Sequence, residues 1–137
     1  MGLTLTAKYK DAPEWDMGYG SFFRLRRDIA YTISKEFGEH YADITWGSFH
    51  QEEYDEITNI LLRKYHVSNR LIFFLYSPDC KARISPLRCK AVYDQIEGTK
   101  NNFLYGYTAR PNACMTWEDF KCMLKECYER KTYMYWY

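Results

Sequence analysis

Leu3, Leu5 and Ala7 alternate with Thr4, Thr6 and Lys8, and this period of two predicts an opening strand with one buried face. Phe22, Leu25, Ile29, Ile33 and Phe37 then recur at intervals of three and four, a helical stripe with Ser21 placed to cap its start and Gly38 its end. Tyr54, Ile57, Leu61 and Tyr65 predict a second helix over 50–65. Its acidic residues come early and Arg63 and Lys64 late, the order that suits a helix dipole. Ser85-Pro86 supplies a capping hydroxyl and a proline at the first helical position, so a third helix carrying Leu87, Ala91, Val92 and Ile96 is expected to run to Gly98. Thr116 to Asp119 opens a fourth as a capping box with Asp in place of Glu, and Trp117, Phe120, Leu124 and Cys127 form its buried stripe. Tyr133 to Tyr137 favour a strand that can pair with the opening one. The pattern predicts an α+β, mostly helical chain: about four helices, with a small antiparallel sheet pairing the N- and C-terminal strands, in a single domain over 1–137.

Three stretches carry no clear period. Leu71 to Tyr76 is a continuous apolar run, buried either as a strand or as a short helical turn. Asp11 to Gly20 and Lys100 to Ala113 read as loops, and 41–49, with Trp46-Gly47-Ser48, as irregular.

Composition changes the reading of those loops. The chain has 14 Tyr, 8 Phe and 4 Trp in 137 residues. A phenol joins a large apolar face to one polar handle, so an excess of Tyr points to surfaces as well as core. After the helix stripes have taken their share, the surplus lies in two glycine-punctuated loops and in Tyr133 to Tyr137. Trp15, Tyr19, Tyr105 and Tyr107, with Arg24, Arg27 and Arg110 nearby, are the candidate ligand-binding residues, because rings stack on a base and guanidinium groups pair with phosphate.

Charge and cysteine usage narrow the partners. Lys plus Arg is 19 and Asp plus Glu 18, a net charge of +1, which lacks the global field that drives binding to duplex nucleic acid. No apolar run approaches the roughly 18–20 residues needed to span a bilayer, and the N-terminus carries no secretory signal, so a cytoplasmic protein is expected. Five cysteines, with no Cys-x-x-Cys pair, suit reduced, buried thiols rather than disulfides or zinc. Dinucleotide, phosphate-loop, zinc-protease and nucleophile-elbow motifs are missing and the three His are scattered, so no catalytic residues, metal or cofactor are assigned.

Two segments carry a resemblance. Gly18 to Arg26 fits a Gly-Tyr-x-x-Phe-x-x-x-Arg opening, and Tyr76 to Lys90 is similar to a Ser-Asp-Cys-Asp-Gly-Glu-Ile-Ser-Pro motif, matched here at Asp79, Cys80, Ile84, Ser85, Pro86 and Cys89. Together they resemble a group of uncharacterised small proteins of bacterial genomes and phages. That motif looks like half of a calcium loop, but Lys81 and Ala82 replace its second Asp and its Gly, and one carboxylate beside two cations makes a poor site for a hard cation. Asp79 and Ser85 therefore read as loop and cap residues.

Two functions are expected from these features. The first is a non-enzymatic small-ligand-binding protein, a phage-encoded sponge sequestering a nucleotide immune signal of the host. The second is a protein-interaction module or homo-oligomeric adaptor or inhibitor acting through an aromatic surface.

Overall fold

The computed structural model describes residues 2–44 and 50–137. The Trp46-Gly47-Ser48 stretch, expected to be irregular, lies outside the described residues. Among the described residues the order is β1 (Gly2–Ala7), β2 (Trp15–Gly18), α1 (Tyr19–Ile33), α2 (Lys35–Ala42), α3 (Gln51–Lys64) and α4 (Asn69–Leu75). It continues with β3 (Ala82–Ile84), α5 (Pro86–Ile96), β4 (Leu104–Tyr105), β5 (Met115–Thr116), α6 (Trp117–Glu129) and β6 (Met134–Trp136). No helix among these residues is long and apolar enough to cross a membrane.

The chain is α+β, and β1 and β6 pair antiparallel as expected, with Thr6 opposite Tyr135. The helix count is corrected from about four to six, for two local reasons. The stripe from Phe22 to Phe37 is two helices, because Ser34 turns extended (φ −168°, ψ 159°) and its hydroxyl accepts the Phe37 N–H at 2.9 Å, capping α2. Gly38 is thus not a terminator. It lies buried inside α2, where a Cβ would fall 2.4 Å from two ring carbons of Tyr31. The apolar run at 71–76 forms most of α4, capped by the Ser68 hydroxyl.

Helix α1 begins at Tyr19 after an extended Gly18, and the Ser21 hydroxyl donates to the Gly106 carbonyl instead of capping. Part of the first loop is strand β2, paired with β1 from Leu5 opposite Trp15 to Gly2 opposite Gly18. The second loop contributes β4, which pairs with β5. The Ser85 and Thr116 caps form as the sequence predicts, the latter as a complete capping box.

The main sheet runs β2-β1-β6-β3. Leu3, Leu5, Ala7, Met17, Ile84, Met134 and Trp136 are buried with Phe22, Leu25 and Ile29 of α1 and with Phe120, Leu124 and Cys127 of α6. Trp136 sits among rings, 5.1 Å from Phe22 and 5.7 Å from Phe74 between centroids, and its Nε1 donates to the Pro78 carbonyl at 2.8 Å. Residues alternate across a strand, so Tyr133, Tyr135 and Tyr137 point to the other face.

Candidate functional site

The seven predicted ligand-binding residues do not converge. Trp15 opens β2 and packs half-buried against the core. Arg24 is drawn inward: its guanidinium donates to the Leu104 carbonyl and lies over the rings of Phe103 and Tyr105, at 5.6 and 5.1 Å. Arg27 stands 3.9 Å from Asp28. Tyr105 is fully buried, and its hydroxyl donates to Asp28 at 2.6 Å while accepting from Asn101 at 3.1 Å. Burial, with the Asp28 contact behind it, pushes this phenol's pKa up, so it stays a neutral donor. A ring enclosed in this way cannot stack on a ligand.

Tyr19 lines a separate cleft of about 360 Å³ with Phe23, Tyr41, Tyr76 and Arg26. Arg26 is only 3% exposed. Its Nη1 donates to the carbonyls of Ser77 at 2.6 Å and Phe74 at 3.2 Å, and its Nη2 reaches Asp79 at 3.5 Å. Burial lowers its pKa, with Tyr41 and Asp79 opposing the shift. The arginine that ends the first resembling segment thus ties down the start of the second. This arrangement organises the chain around 74–79, which accounts for a buried cation without requiring a ligand.

Tyr107 and Arg110 differ in that both are exposed, with the guanidinium 5.4 Å above the ring. They border the open face of the main sheet. There Arg83 lies over Tyr133 at 4.9 Å, Lys8 over Tyr135 at 5.6 Å, and Tyr135 and Tyr137 stack at 5.9 Å. Register explains the grouping, since Thr6, Tyr135 and Arg83 are cross-strand neighbours on β1, β6 and β3. Thr4 and Tyr137 exchange backbone hydrogen bonds at 2.8 and 3.1 Å and continue the face towards β2. A groove of about 610 Å³ follows, bordered by Lys8, Lys81, Arg83, Tyr135 and Tyr137, and no Asp or Glu side chain lines it among the described residues.

Sequence reasoning singled out Tyr133 to Tyr137 but missed Lys8, Lys81 and Arg83. The missed signal is again a period of two: Thr4, Thr6 and Lys8 on one strand, Lys81 and Arg83 on another, and Tyr133, Tyr135 and Tyr137 between them. The C-terminal strand is also not a free edge, because β6 is hydrogen-bonded on both sides and β2 and β3 are the outer strands.

Compared with known proteins, the chain matches no family model, no curated protein and no solved structure. The open face must be read from its own chemistry. Three cations beside exposed phenol rings suit an anion that also carries a flat, unsaturated ring.

Proposed function

We propose that the protein is a non-enzymatic binder of a nucleotide-type ligand, held on the open sheet face with its base against the tyrosines and its phosphate on Lys8, Lys81 and Arg83. The observation that supports this reading is the groove itself, where cations and rings alternate. A protein that only holds its ligand acts by lowering the free concentration. Taken with the resemblance to proteins of bacteria and phages, capture of a host nucleotide signal is the role this binding would serve.

Thermal melting with cyclic dinucleotides, adenosine-diphosphate-ribose derivatives and nucleoside phosphates tests the reading. A ligand present at a hundred times its Kd stabilises by about 2.7 kcal/mol. Arg83→Ser should remove the shift while leaving the unliganded melt in place. No shift with any of these compounds would end the proposal.

The second reading, an interaction module or homo-oligomer, draws on a different surface. Ile57 and Ile60 stand exposed one turn apart on α3, the spacing of a docking stripe. Light scattering decides the self-associating form, since a monomer at micromolar concentration removes it.

A further inference from the structure

The groove beside Lys8 and Arg83 does not end at Tyr137. A second depression of about 290 Å³, lined by Thr4, Asp16, Tyr107 and Arg110, has Tyr137 in its wall as well. Tyr137 lines both hollows, so the two adjoin at this residue as a two-part track on the open face. Cation and ring recur along it: Arg83 and Lys8 beside Tyr135, then Tyr137, then Arg110 with Tyr107. Tyr133, Tyr135 and Tyr137 occupy alternate positions of one strand, which spaces their attachment points by about 7 Å.

We propose that this track holds single-stranded nucleic acid several nucleotides long, its unpaired bases against the tyrosine rings and its phosphates on Lys8, Lys81, Arg83 and Arg110. The inference rests on the nucleotide reading above and extends it from one nucleotide to a chain. A mononucleotide brings one base and one phosphate group, and would meet only part of the track. A repeating ligand, with one flat ring and one anion per unit, matches a surface that repeats the same pair. Duplex nucleic acid fits poorly, because its base faces are already stacked and the protein's net charge of +1 gives no broad attractive field. An acidic peptide would satisfy the cations but bring no flat ring to lie beside the tyrosines. Among the described residues the one acidic side chain lining the track is Asp16, which lies at its β2 end and accepts the Thr4 hydroxyl at 2.7 Å.

Fluorescence anisotropy of the full chain with labelled oligothymidylates of one, two, four and eight nucleotides tests this directly. Affinity is expected to rise at least about tenfold between one and four nucleotides, as each added base finds a ring. Raising salt should weaken binding with a log–log slope near about −0.7 for each phosphate engaged, and Arg83→Ser should make that slope shallower by about 0.7. Tyr137→Ser, at a side chain 53% exposed, should lower octamer affinity about tenfold without moving the melting temperature. An octamer bound no more tightly than the mononucleotide overturns the inference and leaves the nucleotide reading standing. Failure of every oligonucleotide and every nucleotide overturns both. Duplex bound as tightly as the octamer, or polyglutamate bound in preference to it, overturns the single-strand assignment.

Discussion

Replacing Gly38 by alanine should destabilise this protein, although the same change inside an ordinary helix stabilises it by about 1 kcal/mol. The reason is the ring of Tyr31, packed from α1 onto the bare backbone of α2: a Cβ at position 38 would lie 2.4 Å from its Cγ and Cδ1. Carbon atoms in contact need about 3.5–4.0 Å, so the ring would have to retreat by more than about 1 Å. Its Cγ is fixed close to the α1 backbone, and a helical residue has few alternative χ1 positions. Overpacking of this kind costs about 1–3 kcal/mol, which outweighs the helix gain and leaves a net loss of about 1 kcal/mol. In a Tyr31→Ala background the obstacle is gone, and Gly38→Ala should then stabilise by about 1 kcal/mol, a coupling near 2 kcal/mol. Urea unfolding followed by circular dichroism on the four proteins of the cycle measures it. Effects that add to within about 0.5 kcal/mol, or a stabilising Gly38→Ala in the parent chain, would refute the packing argument.

Other consequences follow from buried groups. Arg26→Met removes the guanidinium donor of the Ser77 carbonyl, at about 1–3 kcal/mol, while the Phe74 carbonyl keeps the Ser77 N–H at 3.4 Å; with a buried cation also removed, a loss of about 1–3 kcal/mol in urea unfolding is expected, and an unchanged midpoint would contradict it. His40 stacks on Tyr54 at 4.1 Å and its Nε2 lies 2.6 Å from the Thr58 hydroxyl; burial lowers its pKa against the opposing charge of Asp43. The unfolded chain then takes up that proton first, so stability should fall as pH drops below about 6.5, and His40→Gln should flatten the decline in a series of unfolding curves at graded pH. Cys80 and Cys122 are exposed while Cys89, Cys114 and Cys127 are buried, so a thiol reagent should titrate two groups quickly in the native protein and all five after denaturation. Fast reaction of a third thiol would mean that the packing around α5, α6 or the segment before β5 opens more readily than its burial implies.

Much of the fold was legible because it rests on local rules. The opening strand follows from its alternation, α5 from Ser85-Pro86, and α6 from Thr116 and Asp119, whose side chains satisfy each other's backbone N–H groups. The break at Ser34 was hidden because Phe37 continues the apolar stripe of Phe22, Leu25 and Ile29 whether or not the helix is continuous. Only the capping geometry of Ser34, a matter of its own φ and ψ, separates the two cases. Strand β2 was masked by its glycine and by aromatic residues that serve loops equally well.

The candidate surface was half legible. The excess of tyrosine led to Tyr133 to Tyr137, but which cations stand beside those rings depends on strand register, set between residues far apart in the chain, Arg83 with Tyr135 on one side and Thr6 with Tyr135 on the other. Arg24 shows the converse. Its place beside loop aromatics was expected, and the structure turns it to the Leu104 carbonyl and the Tyr105 ring, where it holds β4 against α1.

The position of β6 between β1 and β3 has a consequence for synthesis. During translation β1 and β2 can form their hairpin within the first eighteen residues, but β3 has no neighbour to bond until residues 134–136 leave the ribosome. Trp136, which fills the space between Phe22 and Phe74, arrives equally late. A chain halted before Tyr133 would hold preformed helices around an open apolar hollow, a state suited to chaperone capture, and the sheet should complete in the step that couples β6 to β1 and β3.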